Sequence, residues 1–285
     1  MRMRSERAWQ TLSTRRKRID AAMPELISSS ANPLIKQARA LHQKKARDES
    51  GLFLVEGILH VGEAAQAGWE FEVLLYAPEQ LKSQFGRRLV DECAARGVRC
   101  QSVAEPVFES FAGKDNPQGI AALIRQKKRS LSEFSPRVCQ FAAALVSPQD
   151  PGNVGTILRT LDAVGADGLF LLENGVDPYH PSLVRASMGT LFWKPLVQAS
   201  FADFLVWAKA AGYRLIGTSA HGSLDYREAH LDGRPTILLF GSEQKGLSAE
   251  QTAACDELVA LPMLGRASSL NLAVAAGIFL YAMKG

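Results

Sequence analysis

From Ser29 to the C-terminus, apolar and polar positions follow two rhythms, one suited to short buried strands and the other to helices. Capping residues lead into a helix with Leu34, Ala38 and Leu41 on its apolar side and Lys36, Arg39, Lys44, Lys45 and Arg47 facing outward. Apolar runs predict strands at Leu52–Val55, Phe71–Tyr76, near Val98–Val103 and at Ile120–Arg125, with helices at Ile58–Ala67 and around Leu81–Ala95. The polar run Gln126–Pro136, closed by a proline, reads as a linker, giving domains at 29–126 and 137–285 joined by 127–136. Beyond it, strands are expected at Phe141–Val146, Gly168–Leu172, Tyr213–Thr218, Thr236–Phe240 and Glu257–Leu261. Helices are expected at Val154–Val164, Pro181–Gly189, Phe201–Ala211, near Ser248–Ala253 and at Ser269–Lys284. Several of these strands are nearly continuous apolar runs, as in a parallel sheet covered on both faces. The order predicts an α/β fold whose ligands meet the carboxyl ends of strands.

Composition adds little to this picture, but charge changes it. Of 285 residues, 47% are hydrophobic and 22% charged, ordinary for a globular protein, and no eighteen-residue apolar run suggests a membrane span. The net charge of +4 hides an asymmetry: residues 1–48 hold twelve Lys/Arg against four acids, the remainder 21 against 25. A basic front end on a slightly acidic body points to a polyanion, most simply nucleic acid; a solvated tail explains residues 1–20 equally well. Residues 1–28 lack periodicity and are expected to be mostly disordered. They read as a bacterial leader, an alternative start or an organellar transit peptide. Cys93, Cys100, Cys139 and Cys255 form neither a metal-ligand spacing nor a disulfide framework, which fits a reduced, cytoplasmic compartment. No metal site is expected.

Three stretches carry the candidate chemistry. Asp150–Leu169 (DPGNVGTILRTLDAVGADGL) follows a strand and places Asn153 as a helix cap, with Arg159 six residues on. Read locally, Arg159 serves equally well as a surface ion-pair partner. Ile237–Ser248 (ILLFGSEQKGLS) ends a strand at Gly241, where a missing side chain lets a ligand approach the backbone, and sets Glu243 just beyond. It lacks the GKS or GKT ending of a phosphate loop, and a plain strand–turn–helix connection accounts for it too. Leu261–Ala276 (LPMLGRASSLNLAVAA) leaves a strand and opens an apolar helix through Ser268, Ser269 and Asn271, which suit either an ordinary cap or a polar ligand.

In this order and spacing the three stretches resemble the signature motifs of the SpoU/TrmH family of RNA ribose 2′-O-methyltransferases, within the SPOUT superfamily. The resemblance implies a parallel sheet closed by a deep C-terminal trefoil knot, S-adenosyl-L-methionine as cofactor, a homodimer, and RNA as substrate, rRNA before tRNA. Carried over residue by residue, it makes Arg159, Asn153, Glu243, Ser269 and Asn271 catalytic. Arg159 would orient the target hydroxyl and Glu243 would orient Arg159 or the ribose. Thr218, Gly241, Leu261, Met263 and Leu270 would enclose the cofactor. PSLVRASMGTLFWKP (Pro181–Pro195) also matches, with Arg185 and Ser187 placed toward RNA or the partner subunit. The first domain, through NPLIKQARAL, FLVEG and NPQGIAALI, resembles an L30e-like substrate-binding domain, which would make Lys36, Arg39, Lys44, Lys45 and Arg47 an RNA-facing surface.

Other classes fit less well. A nucleotide-dependent dehydrogenase needs G-x-G-x-x-G after its first strand, and a serine hydrolase needs G-x-S-x-G; neither string is present, and the five histidines are scattered. A non-catalytic RNA-binding or ribosome-assembly factor on the same fold is the alternative that remains, and calorimetry with the cofactor separates the two.

Overall fold

The computed structural model describes residues 25–113, 117–220 and 222–284. Most of the basic stretch 1–28, with Asn116 and His221, lies outside the described residues.

Asn32 starts helix α1 (Pro33–Ala40) by accepting a hydrogen bond from the Leu34 amide at 2.9 Å, and Pro33 takes the first-turn position where its missing donor is harmless. The chain then breaks and restarts as α2 (Lys44–Ser50), so the single helix expected here is two short ones. The break leaves the carbonyls of Leu41 and His42 without helical partners, and the Arg47 guanidinium takes both, at 2.7 and 3.0 Å. There follow β1 (Leu52–Glu56), α3 (Ile58–Gln66), β2 (Phe71–Tyr76), α4 (Gln84–Ala95), β3 (Cys100–Ser102), α5 (Glu105–Glu109) and β4 (Ile120–Arg125). Their four strands make a mixed sheet in the order β1-β4-β2-β3, with only β2 and β3 parallel.

The second unit runs β5 (Phe141–Val146), α6 (Pro151–Ala163), β6 (Gly168–Leu172), α7 (Pro181–Ala186), β7 (Leu196–Ala199), α8 (Phe201–Ala210), β8 (Arg214–Thr218), β9 (Leu224–Asp225), β10 (Thr236–Phe240), α9 (Ala249–Ala254), β11 (Glu257–Ala260) and α10 (Leu272–Lys284). Its seven strands pair in parallel throughout, in the order β7-β6-β5-β10-β8-β11-β9. The central strands β5, β6 and β10 are buried along their whole length, which explains their unbroken apolar sequences.

Each face of this sheet is covered. On one, α8 presses Phe201 and Phe204 against Phe170 and Tyr213. On the other, α6 and α10 contribute Ile157, Leu158, Phe279 and Leu280, and this core continues into the first domain through Phe53, Val55 and Val61. At the junction Phe53 lies 4.6 Å from Tyr179 and Trp69 lies 5.3 Å, edge-on, from Phe192, ring centroid to centroid. Such pairs add about 0.5–1.5 kcal/mol each beyond their area burial. The connecting segment is pinned as well. The Tyr179 hydroxyl accepts from the Lys127 amide at 2.9 Å and donates to its carbonyl at 2.6 Å, while Phe134 is buried against Phe170.

Candidate active site

Two helix N-termini meet beside the carboxyl ends of β8 and β11. Asp150 caps α6, accepting from the Gly152 amide at 2.7 Å. Asn153 is therefore not the cap the sequence suggests but lies inside the first turn, because Pro151 fills the first helical position and leaves capping to the residue before it. Freed from capping, the Asn153 Oδ1 accepts from the Asn271 Nδ2 at 2.9 Å across 118 residues. Asn271 is the capping group of α10: its Oδ1 accepts from the amides of Ala273 and Val274 at 2.9 and 3.3 Å. One amide–amide bond thus ties the first motif to the third.

The cleft beside this bond has a volume of about 150 Å³. Thr218, Leu261, Met263, Ser269 and Leu270 line it, so four of the five expected cofactor residues come together with one expected catalytic residue. Ser219, Ala220, Ser268, Ala275 and Phe279 complete the wall, and among the described residues no charged side chain lines it. The Thr218 hydroxyl is directed at the Leu239 carbonyl, 3.2 Å away. The loop 264–271 above the cleft is exposed throughout, with Leu264 95% exposed.

Gly241, the fifth expected cofactor residue, does not line this cleft. A Cβ there would meet Gly246 C at 2.1 Å and Leu247 N at 2.2 Å, so the missing side chain leaves room for the backbone of its own loop. The loop closes on itself through Gly246 N to Ser242 O at 2.9 Å. Within it, the Glu243 carboxylate accepts from the Gln149 amide at 3.2 and 3.4 Å and so pins the loop after β10 to the loop after β5. Glu243 makes no ion pair with Arg159. Arg159 is exposed on α6, and its side chain has no hydrogen bond or ion pair among the described residues.

A second, larger cavity of about 520 Å³ opens beside the loop after β10, lined by Ser147, Gln149, Ser242, Gln244 and Lys245 among others. The pattern along the chain gives little sign of Ser147, Gln149 or Lys245. Their one legible signal is position, directly after two parallel strands. Ser147 holds a left-handed φ of 46°, a conformation that costs a non-glycine residue about 1 kcal/mol or more and collects at functional sites.

The expected RNA-facing residues divide. Lys36, Arg39, Lys44 and Lys45 are exposed. Arg39 holds Ser110 through its carbonyl at 3.2 Å and hydroxyl at 2.8 Å, and Lys44 pairs with Asp48 at 2.7 Å, an exposed contact worth little. Arg47 is 1% exposed and cannot face RNA; the helix break turns it inward to Asp177 of the second domain, 2.6 Å away. Ser187 is corrected likewise. It is fully buried and donates to the Val184 carbonyl at 2.8 Å, whereas Arg185 is half-buried.

The remaining reactive groups are quiet. Burial pushes the thiols of Cys93, Cys139 and Cys255 up to about 11 and that of Cys100 up to about 12, leaving them protonated at neutral pH. Among the described residues no group of three His, Cys, Asp or Glu could hold a metal ion, and no helix is long and apolar enough to cross a membrane.

Comparison with known proteins gives this geometry its relatives. Residues 140–281 match the SpoU rRNA Methylase family, and residues 32–122 match the MRM3-like substrate binding domain. The chain is 34% identical to the 23S rRNA (uridine(2479)-2′-O)-methyltransferase of Streptomyces viridochromogenes, over 89% of this chain and 90% of that protein. It is 29% identical to the 23S rRNA (guanosine(2553)-2′-O)-methyltransferase RlmP of Bacillus subtilis, over 91% of this chain and 99% of that one. The crystal structure of an AdoMet-bound rRNA methyltransferase from Sinorhizobium meliloti superimposes with a TM-score of 0.83 at 38% identity, covering 90% of this chain and 96% of that one. A cleft bordered by Leu261, Met263 and Leu270, a bond between Asn153 and Asn271, and these relatives along nearly the whole length lead to one assignment: the chain belongs to the SpoU rRNA methylase family.

Proposed function

We propose that this chain methylates a ribose 2′-hydroxyl of large-subunit ribosomal RNA, with S-adenosylmethionine as the methyl donor and two copies of the chain forming the working unit. The observation that carries the reading is the Asn153–Asn271 bond, which brings two motifs separated by 118 residues to the edge of the cleft.

The cleft suits the donor. Leu261, Met263, Leu270 and Phe279 offer apolar contacts to a methionine chain and a purine, Ser268 and Ser269 offer hydroxyls, and among the described residues no wall cation opposes a sulfonium. When bound, the cofactor supplies a methyl group already activated for attack. The protein then has to hold an oxygen nucleophile in line and exclude water. Arg159 takes the first task. Its guanidinium is a planar fork of donors with no acceptor, so it orients the hydroxyl and stabilises the negative charge that develops there, and it does not remove the proton. Asn153 and Asn271 keep the two helix starts in register. Glu243 holds the loop after β5 in place through Gln149 and faces the ribose, and Ser269 lies at the rim. Gly241 keeps the second motif's loop tight.

The finer architecture follows the same reading. The segment after β11 passes through the loop around β9 to reach α6, making a trefoil knot; the edge-on contact of Tyr226 with Phe279, 6.4 Å between ring centroids, supports that crossing. Residues 29–126 form an L30e-like domain that presents Lys36, Arg39, Lys44 and Lys45 to RNA phosphates. The homodimer forms on α10, a helix apolar all round whose outer side leaves Val274 and Tyr281 more than half exposed. Tyr281→Glu should therefore give monomers by sedimentation and lower methylation. The compartment is the cytoplasm.

Incubating the purified chain with labelled S-adenosylmethionine and ribosomal RNA from a strain lacking the gene, then mapping ribose methylation, tests the proposal. One new 2′-O-methyl site in large-subunit RNA is expected. Label confined to tRNA, label on a base, or no cofactor heat by calorimetry would overturn it.

A further inference from the structure

We infer that the buried Arg47–Asp177 pair is a positioning device that fixes the register between the RNA-facing surface of the first domain and the helix bearing Asn153 and Arg159. The inference rests on the reading of Lys36, Lys44 and Lys45 as RNA-facing and adds a residue pair to which that reading gives no role.

The geometry is directional at every step. Arg47 lies in α2, one turn from Lys44 and beside Lys45, with its side chain 1% exposed. Its Nη2 and Nε both reach Asp177 Oδ2, at 2.6 and 2.8 Å, while Nη1 donates to the Leu41 and His42 carbonyls. The guanidinium fork is thereby divided between the two domains, and its planarity fixes their angle as well as their separation. The Arg47 carbonyl and that of Leu52 accept from Gln126 Nε2, at 3.0 and 3.1 Å, which ties the start of the connecting segment to the same point.

On the far side, Asp177 Oδ1 accepts from the Tyr179 amide at 2.9 Å, so the carboxylate is set by its own turn, and that turn leads into α7. Helix α7 meets α6 at bare backbone. A Cβ on Gly155 would lie 2.6 Å from Ala186 Cβ and 2.7 Å from the Leu183 carbonyl oxygen. Gly155 sits between Asn153 and Arg159. An unbroken run of rigid contacts therefore leads from the basic helix α2, through one ion pair, to the helix of the proposed active site.

The pair is not there chiefly for stability. A buried ion pair repays its desolvation poorly, and the rings of Phe53, Trp69, Tyr179 and Phe192 already hold the domains together. The rings carry one directed bond across the junction, from Trp69 Nε1 to the Phe192 carbonyl at 2.9 Å, whereas the Arg47 fork grips Asp177 through two donors and carbonyls of its own domain through a third.

The test uses the full chain and three variants, Asp177→Asn, Arg47→Met and Arg47→Lys. Methylation is followed against RNA concentration in single turnovers, with S-adenosylmethionine binding by calorimetry and folding by thermal melting. In folded Asp177→Asn the RNA concentration for half-maximal rate should rise about tenfold with cofactor affinity within about twofold, because a small misplacement far from the chemistry suffices. Arg47→Lys should recover part of the loss and Arg47→Met none. Unchanged RNA dependence in folded Asp177→Asn overturns the inference, as does a parallel fall in cofactor affinity. A Lys36→Glu/Lys45→Glu variant separates the two readings: if it binds RNA normally, the RNA-facing surface is wrong; if it binds weakly while Asp177→Asn does not, only the positioning role is.

Discussion

The seam between the domains and the cleft at the start of α10 are built from opposite materials. At the seam the large rings are covered and the polar groups are matched: Phe53 is fully buried, Trp69 Nε1 donates to the Phe192 carbonyl at 2.9 Å, and Arg47 has acceptors on both sides. At the cleft the opposite holds. The loop 264–271 is exposed, Leu264 and Leu270 are open to solvent, and on the neighbouring helix α6 the Arg159 side chain has no partner among the described residues. A region whose groups are satisfied within the chain is finished when the chain folds. A region left with open apolar surface and an unpaired cation gains its partners only when ligand, RNA or a second subunit arrives. Loss of the seam's packed rings should therefore appear as lost stability, and damage at the cleft as lost activity in a stable protein.

The largest expected effect is at the seam. Phe53→Ala removes a ring shared by Trp69, Tyr179 and Phe192 and should cost about 3–5 kcal/mol of stability, measured by denaturant unfolding. A loss below about 1 kcal/mol would mean that the junction tolerates a void and is not a packed interior. Next comes the cleft. Arg159→Ala should lower single-turnover methylation by about 10²–10³-fold with melting temperature and cofactor affinity unchanged, the scale seen when one charge-stabilising donor is removed. Arg159→Lys should fall between, since it keeps charge and loses the fork. Full activity in either variant removes Arg159 from the mechanism. Smaller is Asn271→Ala, which deletes the α10 cap and the tie to Asn153 together. It should cost about 1 kcal/mol of stability, and it should slow methylation by more than that destabilisation explains. Equal loss in both readouts would reduce Asn271 to a cap.

The same division decides what could be read from the sequence. The buried strands β5, β6 and β10 lie where the expectation puts them, because full burial on both faces writes itself as an unbroken apolar run. The edge strands β7 and β9 were not expected; they are short, partly exposed and mixed in composition. The motifs locate the cleft because Leu261, Met263 and Leu270 are close in sequence, so one string carries most of the wall. Arg47 shows the limit. A basic residue among basic neighbours reads as surface, and nothing periodic announces a carboxylate 130 positions away. Gly241 and Asn153 mark a second limit. Which atoms they touch depends on loop closure and on which neighbour takes the cap. Sequence pattern reports burial and local propensity, while single directed contacts are set by tertiary geometry.

The smallest prediction tests whether the seam is as complete as it looks. His180 caps α7 there, with Nδ1 accepting from the Ser182 amide at 3.1 Å. Burial holds its pKa below the usual histidine value, the Arg47 and Arg185 charges push the same way, and Asp177 opposes them. The sign follows from proton counting. As pH falls through about 6.5 the unfolded chain takes up a proton at His180 before the folded chain does. The contribution of neutral His180 is thus fully present above that pH and is lost as pH drops toward the folded value. Protonation would also remove the acceptor that caps α7. His180→Asn keeps a side-chain acceptor and cannot titrate, so its melting temperature should decline less between about pH 7.5 and pH 5.5 than that of the parent chain. Equal slopes would mean that His180 reaches water freely in the folded state and that the seam is open at this point. A steeper slope in the variant would reverse the sign and place a stabilising charge on the histidine, pairing it with Asp177 in competition with Arg47.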